Sequence, residues 1–379
     1  MAACLKHFPG DGTDERDQHL LPSINSLSAA DWDQSYGIVY RRAIAQGVKS
    51  IMAGHILMPA LQKSLNPSLS RQQLLPATLS AELLDGLLRK RLGFNGLIVS
   101  DATVMAGFTM AMSREQAVPE AIRAGCDMFL FTLDEQSDMR FMLSGIQRGI
   151  ITPERLNEAA GRVLALKASL GLAARPSPPP PRFYPGTHRR WARETARAGV
   201  TLVKDTQGLL PLDPDRHRRI RLYAIGCGDP LSPELHTHPA CVKLQALLER
   251  RGFQVTRFTG GAWDFAASQR APAEQLAGAD VLLYVAITPV VSNQTALRLN
   301  FLSRKGTFTP KFLQERPTLC VSLGSPFHLQ DMPRVKTLVN AYGDHEAVLE
   351  AVAEALTGEI PFKGASPVDP FCGLWDAGL

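Results

Sequence analysis

The amino-acid sequence predicts an α/β protein made of two units. Two observations carry that reading. Short, continuously apolar, often β-branched runs alternate with helical patterns, as buried parallel strands alternate with crossover helices. One proline-rich stretch, Ala174-Arg175-Pro176-Ser177-Pro178-Pro179-Pro180-Pro181-Arg182, can neither continue a helix nor sit inside a sheet, and so divides the chain. The boundaries predicted are 1–173 for the first unit, 174–190 for a linker and 191–379 for the second.

In the first unit, Ala2–Leu5 is the first strand-like run. Ser28 and Asp31 then form a capping box for a helix that places Trp32, Tyr36, Val39, Tyr40, Ala43 and Ile44 on one face. Val48–Ala53 is the second run. Ser80 opens a helix with Leu83, Leu84, Leu87 and Leu88 inward, and Gly93 stops it. Leu97–Val99 follows, then a helix from Ser113 to Gly125, then the run Met128–Phe131. Thr152-Pro153 starts a last helix carrying Leu156, Val163, Leu164 and Leu170. A closed (β/α)8 barrel takes about 250 residues and eight strands, so four βα units amount to half of one. The second unit repeats the alternation, with strands at 200–204, 221–225, 254–258, 281–287, 319–323 and 337–340. Helices fall near 239–251, 272–279 and 345–357. This is the pattern of an open α/β (αβα) sandwich.

The chain has 379 residues, 45% of them hydrophobic and 20% charged, which excludes collagen, coiled coil and wholesale disorder. No apolar run approaches the ~20 residues of a membrane helix. Net charge is +5, and the basic run Arg216–Arg221 lacks interleaved aromatics, so it reads as a solvated face and no nucleic-acid partner is expected. The six cysteines, Cys4, Cys126, Cys227, Cys241, Cys320 and Cys372, form no C-x-x-C pair; neither a metal site nor a disulfide framework is expected, and a reducing, cytoplasmic setting fits.

In parallel α/β folds, reactive groups collect where strands end. Asp101 follows Gly96-Leu97-Ile98-Val99-Ser100, and a carboxylate fixed there suits either a nucleophile or an N-cap for the next segment. Asp17 and His19, two residues apart on a polar loop, either form a pair in which the Asp fixes the imidazole tautomer or are simply solvated. His55, after Gly54, reads by itself as a satisfied, partly buried histidine. Lys6 and His7 are surface residues or donors for sugar hydroxyls.

These segments resemble glycoside hydrolase family 3. Lys6-His7-Phe8-Pro9-Gly10-x-Gly12 followed by Asp17-x-His19 is similar to the loop signature of its β-N-acetylhexosaminidase branch. Phe94-Asn95-Gly96-Leu97-Ile98-Val99-Ser100-Asp101, with Met105, resembles the segment bearing that family's nucleophile. Ser50–His55, Ala124–Met128 and Pro361–Phe371 also match. The resemblance implies a retaining exo-glycosidase of bacterial cell-wall sugar recycling, with Asp101 as nucleophile and His19, oriented by Asp17, as acid/base. Lys6, His7, His55 and Met105 would bind substrate, and no cofactor is implied. A phosphorylase, a β-glucosidase or β-xylosidase, and a non-catalytic fragment are the alternatives. The family's loop commonly has histidine where this chain has Asp11. Members also carry the first half of the barrel ahead of this motif, so the chain by itself is expected to self-associate through open barrel edges and to show little turnover.

Overall fold

The computed structural model describes residues 1–14, 16–172, 184–226, 233–258, 269–294, 298–301 and 308–379. It divides into two compact units, Met1–Pro180 with Ser292–Ala296, and Pro181–Val291 with Leu297–Leu379. The expected linker falls outside the described residues up to 183, and its last residues are helical, within Pro185–Gly199. Proline, which has no N–H, suits the first turn, where a backbone donor would have no partner within the helix in any case.

The first unit holds a four-stranded, wholly parallel sheet in the order β1 (Cys4–Phe8), β3 (Ser50–Ala53), β5 (Leu97–Ala102) and β6 (Met128–Leu130). A two-residue parallel pair, β2 (Ser23–Ile24) with β4 (Ile56–Leu57), ties the loop after β1 to the loop after β3. The sheet packs on helices at 82–91, 114–124 and 153–169, with Ile51, Ala53, Ile98, Leu83, Leu84, Leu87 and Leu88 in one buried cluster.

Three features depart from the reading above. The first strand runs on through Lys6 and His7, which therefore lie in the strand. The helix after Ser28 is two helices, Ala29–Gln34 and Tyr36–Ala45, broken at Ser35; Trp32 and Tyr40 are buried but Val39 is exposed. A further helix, Glu135–Gln147, capped by the Asp134 carboxylate on the Ser137 N–H, follows β6. In the last helix only Ala159 is buried, while Leu156 and Leu164 face out.

The second unit is a six-stranded sheet ordered β7 (Thr201–Asp205), β12 (Thr337–Asn340), β11 (Thr318–Ser322), β10 (Val281–Ile287), β8 (Arg219–Gly226) and β9 (Gln254–Phe258). Only β7 runs antiparallel to its neighbour. Successive side chains of a strand point to opposite faces, and both faces are apolar. Leu222, Ala224, Leu283, Val285, Leu319, Val321 and Val339 pack with residues of the helices at 185–199, 239–249 and 346–356. Tyr223, Ile225, Leu282, Tyr284, Ala286, Cys320 and Leu338 pack with Leu276, Phe308, Leu329, Met332 and Val335 of short segments. From the basic run, Arg219 pairs with Asp280 and Arg221 donates to the Gln275 and Ala277 carbonyls. Among the described residues no helix is long and apolar enough to cross a membrane.

Asp127, just before β6, is the electrostatic anchor of the first unit. Its side chain is fully buried and meets Arg89 and Arg155 at 2.6 Å each and Arg162 at 3.3 Å, and it accepts the Ile98 N–H at 2.9 Å. Removing one partner of a buried charge cluster typically costs 3–5 kcal/mol, because the rest stay desolvated and unpaired. Asp127→Ala is expected to destabilise the first unit by about 3 kcal/mol, read as a lowered urea midpoint; a midpoint within error of the parent would show that the arginines need no anion.

Candidate active site

The C-terminal ends of β1, β3 and β5 bring the polar residues together. The loop after β1 is fixed by its own backbone. Trp32 Nε1 donates to the Pro9 carbonyl (2.7 Å), Asn25 Nδ2 to the Gly10 carbonyl (3.1 Å) and the Tyr36 hydroxyl to the Asp11 carbonyl (2.5 Å). Gly10 is obligatory here: its φ is +131°, and a Cβ would lie 2.2 Å from a Tyr36 ring carbon. The peptide bonds Lys6–His7 and Phe8–Pro9 are cis.

Asp17 and His19 do form a pair. His19 Nδ1 lies 2.6 Å from Asp17 Oδ1, which also accepts the His19 backbone N–H at 2.8 Å. Within the same unit, the Asn293 N–H donates to Asp17 Oδ2 at 2.5 Å. Burial alone would raise the Asp17 pKa, but these bonds to the carboxylate outweigh it and hold the group below its usual range. With Nδ1 committed, His19 Nε2 is the nitrogen left to exchange a proton.

Asp101 lies inside β5, buried, at the end of the run Leu97–Val99. Its Oδ1 accepts the Ala102 N–H at 2.7 Å. Its Oδ2 has no hydrogen-bond partner among the described residues, and His7 Nε2 stands 3.4 Å away. The other nitrogen of His7, Nδ1, is 2.6 Å from Asp11 Oδ2. The loop bearing Asp17 and His19 is bound to the segment after Asp101, because Gly107 and Ala106 donate their N–H groups to the Gln18 and His19 carbonyls at 3.0 and 3.1 Å. Gly107 permits that approach: a Cβ there would lie 2.9 Å from the Gln18 carbonyl oxygen and 2.7 Å from His55 Cβ.

Two expected substrate contacts are corrected. His55 is wholly buried, with Nδ1 2.9 Å from the Thr78 hydroxyl and Nε2 3.0 Å from the Ala102 carbonyl; it braces the strand ends from below and offers no free nitrogen. Met105 is buried as the N-cap of the turn Ala106–Thr109. Lys6 is exposed on β1. Gln18 and Asn25 carry no mark in the sequence, Trp32 and Tyr36 read only as members of an apolar helix face, and Asp11 only as a departure from the family's histidine. Gln18 Oε1 accepts the His55 backbone N–H at 2.6 Å, and its Nε2 donates to Asp11 at 3.3 Å. Their signal is not local: each binds a backbone group or side chain distant in sequence. Among the described residues, no group of three or more His, Cys, Asp or Glu could hold a metal ion.

Burial drives the His55 pKa below its ordinary value of about 6.5. The unfolded chain therefore binds more protons at His55 than the folded one below that pH, and the folded state loses stability as pH falls through about 6.5 toward the depressed value. His55→Gln is expected to lower stability at pH 7 but to flatten the change between pH 7 and 5. Urea midpoints at both pH values check this; an unchanged slope would place the pH sensitivity elsewhere.

Comparison with known proteins follows the same residues. Residues 1–166 match the Glycosyl hydrolase family 3 N terminal domain. Over its whole length the chain is 46% identical to a Beta-N-acetylglucosaminidase/beta-glucosidase of Cellulomonas fimi, spanning 68% of that protein. It is 34% identical over 137 residues to a Beta-hexosaminidase of Nitrosomonas eutropha, 36% of each chain. Among solved structures it is similar to the Beta-glucoside phosphorylase BglX, with a TM-score of 0.91 and 40% identity, covering 99% of this chain and 67% of that one. The chain thus spans about two thirds of two of these proteins and about one third of the other.

Proposed function

This chain belongs to glycosyl hydrolase family 3, and from that membership we propose that it is a retaining, exo-acting enzyme releasing terminal β-linked N-acetylglucosamine. The observation that carries this is the joining of the Asp17–His19 pair to the Asp101 segment by two backbone hydrogen bonds. We read the four-stranded sheet as the C-terminal half of a (β/α)8 barrel and the second unit as an αβα sandwich.

In this reading Asp101 attacks the anomeric carbon, and the bond to the leaving oxygen breaks as His19 Nε2 gives it a proton. The glycosyl-Asp101 ester is then cleaved by water, whose proton returns to His19. Asp17 keeps the imidazole in the tautomer that uses Nε2 and balances the positive charge when the ring is protonated. Lys6 faces the sugar hydroxyls, and His7, with Nδ1 on Asp11 Oδ2 and Nε2 3.4 Å from Asp101 Oδ2, stands beside the attacking carboxylate. The role extends to cell-wall sugar recycling in a bacterial cytoplasm, which rests on the resemblance alone.

A second reading replaces water by phosphate. One observation favours it, the similarity to the Beta-glucoside phosphorylase BglX; the proposed acid/base role of the His19 imidazole is compatible with it, since it places no second carboxylate acid/base against an incoming anion. Retaining glycosidases usually use two carboxyl groups, about 5–5.5 Å apart.

One set of assays, made on a polypeptide in which the first sheet is completed to eight strands, tests these roles. Asp101→Ala is expected to abolish turnover of an aryl β-N-acetylglucosaminide. His19→Ala should slow poor leaving groups far more than activated phenolates, which need little protonation; equal losses on both would remove His19 from the acid role. Added phosphate that raises the rate and appears as a sugar 1-phosphate selects the second reading. Better cleavage of glucosides than of N-acetylglucosaminides would make the enzyme a β-glucosidase.

Among the described residues, the outer edges of β1 and β6 have no strand beside them, and Ile38, Met139, Leu143, Leu156 and Leu164 stand exposed in the same unit. Open edges and apolar faces invite pairing between chains. Light scattering on this chain is expected to show self-association; a monodisperse monomer at high concentration would count against it.

A further inference from the structure

We propose that Asp11 is a positioning residue that holds His7 and aims its Nε2 at Asp101; this rests on Asp101 being the nucleophile. Asp11 Oδ2 lies 2.6 Å from His7 Nδ1. A carboxylate only accepts, so Nδ1 carries the proton of this bond. The ring is thereby fixed in rotation, and its other nitrogen stands 3.4 Å from Asp101 Oδ2, a carboxylate oxygen with no hydrogen-bond partner among the described residues. Free of Asp11, the imidazole could turn about its own axis and present either nitrogen, or neither, to Asp101.

The alternative for an aspartate with a 45% exposed side chain is an ordinary surface ion pair, which contributes little. The surroundings of Asp11 argue otherwise. Its backbone carbonyl is held by the Tyr36 hydroxyl, the two carbonyls before it by Trp32 and Asn25, and its second carboxylate oxygen by Gln18 Nε2 at 3.3 Å. Gln18 Oε1 in turn accepts the buried His55 N–H, and its backbone carbonyl accepts the N–H of Gly107 in the segment after Asp101. A side chain built into a frame from both its backbone and its carboxylate has lost its rotational freedom before substrate arrives. Asp11 therefore connects, through one aspartate, the strand of His7, the loop of His19 and the segment beyond Asp101.

The test needs a readout that does not depend on turnover. In the full chain labelled with 15N-histidine, the Nδ1-bound proton of His7, assigned by its loss in His7→Gln, should give a low-field signal that exchanges slowly. Asp11→Asn keeps the size of the side chain and removes its charge; the signal is expected to move upfield or broaden away. In turnover assays on the completed barrel, Asp11→Asn should lower kcat about tenfold with KM little changed, the size expected for a hydrogen bond to a charged group. That loss should vanish in a His7→Gln background, because Asp11 acts through His7. A His7 proton signal indifferent to Asp11→Asn, or equal kcat losses in both backgrounds, overturns the proposal. Should Asp11→Asn fail to fold, Tyr36→Phe carries the test: it frees the Asp11 backbone, keeps the carboxylate, and should weaken the same signal. If the proton responds as expected but Asp101→Ala leaves turnover intact, the error lies in the nucleophile assignment and not in the placement of His7 by Asp11.

Discussion

Three consecutive carbonyls, those of Pro9, Gly10 and Asp11, each accept a hydrogen bond from a side chain between Asn25 and Tyr36. The rest of the site depends on this arrangement. A polar loop that leaves a strand end would ordinarily sample many conformations, and ordering it costs roughly 1–2 kcal/mol of backbone entropy per residue. Here that cost is met during folding, by an indole and a phenol on the helices after Ser28 and a carboxamide from the segment just after β2. Phe8, Trp32 and Tyr40 stack or meet edge to face beneath the loop, so the donors themselves rest on a rigid aromatic floor.

Above that floor the polar groups fall into two kinds. His55, Gln18 and Thr78 are buried with partners at hydrogen-bond distance, and they fix where the strands β3 and β5 end. A fully satisfied buried network stiffens its surroundings. Asp101 is the contrast: one oxygen is bound to the next backbone N–H and the other has no hydrogen-bond partner among the described residues. An unsatisfied buried oxygen in the midst of satisfied neighbours calls for an explanation, and a nucleophile held ready is the one adopted above.

The strands were legible because buried parallel strands are apolar without interruption. Val281–Ile287, buried along its whole length, coincides with the expected span. Where polar residues enter a strand the pattern fails: Lys6 and His7 end the apolar run but not β1. The helix Glu135–Gln147 went unread although Met139, Met142, Leu143 and Ile146 recur at helical spacing; that stripe is not buried, since the helix buries only Asp138 and Gly145. The pairing of Asp17 with His19 could be anticipated from their spacing, since two residues of loop keep them within reach. His55 by itself read as satisfied and partly buried; its backbone partner, the carboxamide of Gln18 thirty-seven positions earlier, could not be anticipated. Asp11 read only as a departure from the family's histidine, because nothing in the sequence shows that its carboxylate meets His7.

The two N–H donations from Ala106 and Gly107 to the Gln18 and His19 carbonyls have an evolutionary consequence. They make the histidine and the aspartate share one support, so the spacing between them is inherited from the backbone on either side of Gly107 and not from the length of the loop. Side chains that contribute to neither tie can then be replaced while His19 and Asp101 keep their separation, so what such an enzyme admits beside its sugar can vary at little cost to that spacing.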